Sequence, residues 1–329
     1  MEFAALERGL VVERLTSRLI LIKAAGRELG FAAMNGPSCT PFGRASCNDK
    51  EIARQLISSH GLPVAESRSF KSKDVEPAWE YASSLAGPVV VKPLSSSRSR
   101  GLTTDITSRD ALADALATAR RAHRAGTRNP RVLVERQVRG LDYRLFVAGG
   151  SVVYATLRRR ARVQGDGRQS IGELIHRKNR RRKKNPYLGQ LLISTDLDEL
   201  DLLRPQGLSL SDIPDEGEYV TLCSVPNLYR GGDSVDVTDK IHHSYKELAV
   251  RAVEAIPGMK YAGVDLIAEN IRTEASPSNV IVSEVEYSPA PMSYFPWHGQ
   301  PRDMGGPILD SYLESSSRGV VRRLRNFRR

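Results

Sequence analysis

Three carboxylates in the last quarter of the chain carry the most distinctive chemistry. Asp265 lies in "YAGVDLIAEN", and Glu284 and Glu286 lie in "NVIVSEVEYSPAP". Both segments read as apolar strands. Residues i and i+2 of a strand share a face, so Glu284 and Glu286 emerge together behind Val280, Ile281 and Val282. Two acids on one buried face repel unless something cationic lies between them. Taken alone, E-x-E also describes an exposed edge strand with two solvated acids. With Asp265 added from a neighbouring strand end, the set offers oxygen donors only, without His or Cys. Such donors suit Mg2+ held jointly by protein and phosphates.

A second group lies earlier. Lys92 ends the apolar run "GPVVVKPL" and precedes "SSSRSRG", where Ser95, Ser96 and Gly101 could offer hydroxyls and amides to phosphate. The G-x-x-x-x-G-K-[ST] loop is absent, and a snorkelling surface lysine is the plainer alternative. "VLVERQVRGLDYR" then sets Glu135, an apolar stretch through Val138, and Asp142 in order. Adenine wedged against such a strand can bond backbone groups, and an acid seven residues on can take ribose hydroxyls. A strand followed by an ordinary polar loop gives the same pattern.

The elements that must position these residues are legible in part. A helix is expected over 3–15, then two strands in "RLILIKAAGRELGFAAMNG" around a glycine turn. "SCNDKEIARQLISSHGLPV" reads as a helix with Asn48 as N-cap, closed by Gly61 and Pro63. "GPVVVKPL" and "RVLVERQV" are strands flanking a helix in "SRDALADALATARRA" capped by Ser108. "LDYRLFVAGGSVVYATLRRRA" is a hairpin turning at Gly149-Gly150, followed by a long irregular middle. "SYKELAVRAVEAIPG" is an amphipathic helix, and the two acid-bearing strands come last. The fold class is α+β, with mainly antiparallel hairpins.

Length and charge bound the function. A chain of 329 residues is long enough for two or three subdomains. No apolar run approaches the roughly 20 residues of a membrane helix. The start, "MEFAALERGLVVERL", lacks the basic segment and cleavage site of a signal peptide, so a cytoplasmic location without membrane attachment is expected. Cys39, Cys47 and Cys223 follow no disulfide or zinc spacing. The net charge of +11 suits an anionic partner. It gathers in "HRKNRRRKKN" and in the closing "RGVVRRLRNFRR". The block Arg177–Lys184 holds seven cations in eight residues, so it is expected to be solvated, and to draw an acidic substrate toward the cleft.

In their order along the chain, Lys50, Lys92, Glu135 to Asp142, Asp265 and Glu284-x-Glu286 resemble the ATP-grasp carboxylate–amine ligases. The nearest resemblance is to the ATP-grasp domain of cyanophycin synthetases and bifunctional glutathione synthetases. It rests on "LDYRLFVAGGSVVYATLRRRARVQGDGRQSIGELI", "PNLYRGGDSVDVTDKIHH" and "YAGVDLIAE…SEVEYSPAP", and covers roughly Glu7 to Leu313. It implies ATP clamped between two α+β subdomains, with ATP and two Mg2+ ions (Mn2+ as an alternative) as cofactors. The implied reaction phosphorylates a carboxylate with ATP and lets an amine attack the acyl phosphate, giving an amide, ADP and phosphate. By position, Lys50 and Lys92 resemble phosphate-binding lysines. Glu135 and the Val138 backbone resemble adenine contacts, Asp142 the ribose contact, and Asp265, Glu284 and Glu286 the metal ligands. Arg158 and Asn227 match positions near the transferred phosphate and the acyl substrate.

The departures are specific. Glu286 stands for the family's metal-binding asparagine, and the glycine-rich loop keeps only Gly101. Cys223 replaces the arginine of the pattern L-R-x-x-x-N, so Arg230 or Arg144 would have to supply that charge. The implied division is a short segment over 1–46, a nucleotide-lid subdomain over 47–138, a catalytic subdomain over 139–315 and a basic tail over 316–329. The companion domains of those synthetases are not expected, and a ligase of two amino acids or an amino acid and a small peptide, one substrate acidic, is. A homo-oligomer is also expected. The rivals are an acidic carrier protein or peptide as acceptor, and a catalytically altered nucleic-acid-binding relative. Stacking platforms for single strands interleave aromatics. The basic runs offer only Tyr187 and Phe327, which disfavours nucleic acid.

Overall fold

Every strand-to-strand ladder in the computed structural model, which describes residues 1–24, 26–94, 100–123, 130–196 and 200–314, is antiparallel. The chain opens with α1 (Glu2–Glu7), β1 (Val11–Arg14), β2 (Leu19–Ala24) and β3 (Arg27–Ala32), the strands forming one sheet in that order. The helix expected over 3–15 therefore stops at Glu7. Gly9 turns the chain at φ +66°, and β-branched Val11 and Val12 pair with Lys23 and Ile22. The hairpin that follows turns as expected, at Gly26 with φ +73°.

Next come α2 (Pro41–Asn48) and α3 (Lys50–Ser59). Asn48 is not the N-cap of α3. It ends α2, and the extended Asp49 accepts from the amides of Glu51 and Ile52 instead.

A four-stranded sheet, ordered β4-β7-β5-β6, is built from β4 (Ser67–Lys71), β5 (Val89–Pro93), β6 (Thr103–Ile106) and β7 (Arg131–Arg136). Helices α4 (Val75–Ser84) and α5 (Arg109–Arg121) cover one face. Ser108 caps α5, accepting from the Ala111 amide. Val89 and Val91 of β5 and Val132 and Val134 of β7 join Leu112 and Leu116 of α5 in a core. Strand alternation turns Lys92 and Glu135 to the opposite face, away from both helices.

The larger sheet, ordered β12-β9-β8-β13-β14, receives β8 (Leu141–Ala148) and β9 (Ser151–Arg159) as a hairpin. Gly149 and Gly150, at φ +60° and +75°, meet the positive angles of its two-residue turn. The stretch read as irregular contains β10 (Arg162–Gln164), α6 (Ile171–Arg182) and β11 (Tyr219–Thr221) around a small core of Ile171, Leu174, Val220 and Leu222. Then follow β12 (Asp233–Asp236), α7 (His243–Glu254), β13 (Ala262–Ala268) and β14 (Val280–Glu286). Helix α7 packs on this sheet, and its Tyr245, Leu248 and Ala252 share a core with Ile22, Phe31, Leu145 and Val264. Among the described residues no helix is long and apolar enough to cross a membrane.

The basic block corrects the sequence reading. Arg177 to Arg182 are the second half of α6, whose start is fixed by a capping box between Ser170 and Glu173. Helical spacing lines up Ile171, Leu174, Ile175, Lys178 and Arg182 on one side. Arg182 is wholly buried: its Nε donates to the Leu191 carbonyl at 2.9 Å, and Nη1 to those of Gly231 and Gly232 at 3.1 and 3.0 Å. Lys178 Nζ and Arg182 Nη1 both reach Asp233, at 2.7 and 3.2 Å. Charge alone did not decide solvation here, because carbonyls and one acid replace the water. The basic tail, 316–329, and Ser95 and Ser96 lie outside the described residues.

Candidate active site

Cross-strand register gathers one set of charges on the larger sheet. Arg158 of β9 lies opposite Asp142 of β8, Arg144 of β8 opposite Asp265 of β13, and Asp265 opposite Glu284 of β14. Alternation then brings Asp142, Arg144, Arg158, Asp265, Glu284 and Glu286 to a single face. Arg144 grips Asp265 with two bonds, Nε to Oδ1 at 2.6 Å and Nη2 to Oδ2 at 2.8 Å. Arg158 spans the two acids, donating to Asp142 at 2.6 Å and to Asp265 at 2.7 Å. Burial would raise the Asp265 carboxyl, but Arg144 and Arg158 outweigh it and hold it at about 2. Asp142, which shares Arg158, is pushed up, first by burial and then, against the pull of Arg158, by Asp265. Glu286 is raised by burial, with Glu284 and Asp265 adding repulsion that Arg144 offsets in part.

A second set lies on the open face of the four-stranded sheet. Glu135 is paired with Lys92 at 3.0 Å and with Arg54 of α3 at 2.5 Å, all three being nearly buried. Burial lowers the Lys92 ammonium against the attraction of Glu135. Burial acts to raise Glu135, and the two cations overcome it and hold it down. Two cations thus share one anion. Arg54 also donates to the Ala65 carbonyl and Ser67 Oγ, yet its buried Nε has no hydrogen-bond partner. Lys50, one turn before Arg54, joins the two sets: its Nζ is 3.3 Å from Glu284, and its charge bears on Lys92.

The remaining candidates are placed as follows. Asn227 is nearly buried and accepts from the Tyr229 amide at 2.8 Å. Arg230 pairs with Asp201 at 3.1 Å, and its carbonyl accepts from the Cys223 thiol. Arg144, the other stand-in for the missing arginine, is committed to Asp265. Val138 is half-buried in the link between β7 and β8. Gly101, at φ +73°, has Ala122 and Pro93 so close that a Cβ would lie 2.6 and 3.0 Å from their side chains.

Sequence reasoning missed Arg54. Its signal is the four-residue step from Lys50, which puts both cations on one side of α3.

The family described as "Carbamoyl-phosphate synthase L chain, ATP binding domain" matches residues 49–143. Cyanophycin synthetase of Trichormus variabilis is 32% identical over 277 residues, covering 83% of this chain and 30% of the relative. The glutathione biosynthesis bifunctional protein GshAB of Clostridium perfringens is 38% identical over 187 residues, 54% of this chain and 23% of the relative. The crystal structure of a bifunctional glutathione synthetase from Pasteurella multocida superposes with a TM-score of 0.67 at 27% identity, over 94% of this chain and 43% of that one. This is an ATP-grasp fold. The chain spans less than a third of the length of either curated relative.

The side chains of this ATP-grasp fold can be tested against the nucleotide and metal that the family implies. The surplus cation around Glu135 and the orphaned Arg54 Nε fit a phosphate, which would supply the missing acceptor. Glu284 and Glu286 fit a hard divalent ion, since a cation would relieve the repulsion that raises Glu286. Asp265 fits less directly, because three of its acceptor positions are taken by guanidinium. Among the described residues no three Asp, Glu, His or Cys side chains form a ready metal cage. A shared site, completed by phosphate oxygens, matches this donor set.

Proposed function

We propose that the chain is the ATP-grasp core of an ADP-forming carboxylate–amine ligase acting on amino acids or small peptides, one of them acidic. The observation that carries the reading is the meeting of two charge sets at Lys50: a buried cation pair around Glu135, and a sheet face bearing Asp142, Arg144, Arg158, Asp265, Glu284 and Glu286. The reading assigns Lys50, Lys92 and Arg54 to the phosphates of ATP. Gly101 borders them, Glu135 and the Val138 backbone border adenine, and Asp142 borders ribose.

Glu284 and Glu286, with the free position on Asp265, would hold Mg2+, and the ion would supply charge neutralisation for phosphoryl oxygens. Arg144 fixes Asp265, and Arg158, Asn227 and Arg230 line the place where the carboxylate becomes an acyl phosphate. Little covalent work falls to the protein; alignment and charge neutralisation supply the rate. The names of the relatives, a synthetase and a glutathione-biosynthesis protein, support a ligase. The lid over 47–138, the catalytic part over 139–315, a cytoplasmic location and a homo-oligomer belong to the same proposal.

An acidic carrier or peptide as acceptor is the second reading, favoured by the exposed Arg180, Lys183 and Lys184 along and just past α6. Incubation with Mg-ATP and a panel of amino-acid pairs decides. ADP and phosphate released only with a productive pair, with the amide found by mass spectrometry, is the expected result. AMP and pyrophosphate would instead indicate adenylation.

A further inference from the structure

Outside the cleft, α6, the β10–β11 pair and the segment after β14 enclose a pocket of about 240 Å³. Its walls include Arg162, Arg177, Lys178, Arg181, Tyr219 and Trp297. The pocket does not share the face that carries the candidate active site. Asp233, which also lines it, is opposite Arg159, whereas Ser234 is opposite Arg158. Since Arg158 points to the face of Asp142 and Asp265, Asp233 points to the reverse side.

Charge and shape both specify an occupant. Four cations line the pocket against one acid, and that acid is already shared between Lys178 and Arg182. Arg177 pairs with Asp166 at 2.7 Å. Arg162 and Arg181 form no ion pair among the described residues and lie over aromatic rings, 4.0 Å from the Tyr219 centroid and 4.8 Å from that of Trp297. Stacking fixes a guanidinium plane while leaving its N–H edge to a ligand. The Trp297 wall is held in place as well, its amide donating to the Ser234 carbonyl at 2.8 Å. His298 beside it is lowered by burial, with Arg159, Arg181 and Lys178 adding positive potential against Asp233. The volume is below the roughly 300–1,000 Å³ of drug-sized sites.

From these features we infer a second ligand site, separate from the nucleotide cleft, that binds a small oxyanion between Arg162 and Arg181. Carboxylate and phosphate share the required chemistry, and the experiment separates them.

In a Trp79→Phe background, Trp297 is the only tryptophan and reports directly on the pocket. The full chain is titrated at low salt with glutarate or with inorganic phosphate while Trp297 fluorescence is followed. A saturable change with either probe is expected, and the probe that gives it names the source of the oxyanion. Arg162→Gln with Arg181→Gln should weaken that binding at least about tenfold at an unchanged unfolding midpoint. Arg181→Gln alone, at an exposed position, should weaken it in the same direction should the double variant fold poorly. Lys92→Met, in the cleft, should leave it unchanged. No saturation with either probe, or binding that survives loss of the arginines, would overturn the site. So would binding lost only with Lys92→Met, because the cleft would then be responsible.

Discussion

At the scale of single residues, the acids on the larger sheet are not equivalent. Glu284 is partly exposed and its contact with Lys50 is long, at 3.3 Å, so its charge contributes little to folding. Glu284→Gln is therefore expected to keep the unfolding midpoint while lowering turnover about 10²-fold or more, since one preorganised charge at the transferring group is worth that much. Near-wild-type ADP release would remove Glu284 from the metal site. Asp265 behaves differently. Its carboxyl is lowered from 3.8 to about 2, so the folded chain holds that proton less tightly than the unfolded one. The ionised form contributes stability that is complete above pH 4 or so and is lost as pH falls toward 2. Asp142 is shifted the other way and should take its proton first. Carboxyl carbon shifts followed by NMR should show that order, and the reverse would contradict the sharing of Arg158. These acids were legible in the sequence because strand alternation fixes their common face. Arg54 was not, because a cation in an amphipathic helix reads as surface until the neighbouring strand is in place.

At the scale of elements, α6 shows where a charge run misleads. Its cations look alike in sequence, yet Arg182 is inside and Arg180 is in solvent. Arg182→Ala would leave three carbonyls and Asp233 short of a donor. It is expected to destabilise by about 3–5 kcal/mol in urea unfolding, the usual effect of breaking a buried pair. Arg180→Ser should stay within about 0.5 kcal/mol. Equal effects would mean that α6 does not pack as described. The signal present in the sequence was the helical step from Ile171 through Leu174 and Ile175 to Lys178 and Arg182, with the Ser170–Glu173 capping pattern ahead of it. The partners, carbonyls at 191, 231 and 232, were invisible because no local pattern encodes them.

At the scale of the whole molecule, β7 and β8 join the two charge-bearing sheets, and Gly140 sits in that link at φ +145°. A Cβ there would lie 2.8 Å from the Ala268 backbone on β13. Gly140→Ala should cost at least about 1–3 kcal/mol, read as a lower urea midpoint. An unchanged midpoint would show that the link yields freely.

The Arg144–Asp265 pair spans 121 residues of chain, whereas Arg144 and Arg158 share a hairpin with a two-residue turn. Local hairpins close in microseconds, and distant pairings wait on loop closure. Pulsed hydrogen exchange during refolding should therefore protect β8 and β9 before β13, and the opposite order would refute this sequence of events. A polypeptide growing on the ribosome would meet the same delay: for more than a hundred residues of synthesis Arg144 and Arg158 stand without Asp265, with Asp142 as the one acid they face on the hairpin. Such a nascent chain presents a cationic hairpin edge, the surface on which cellular quality control would act.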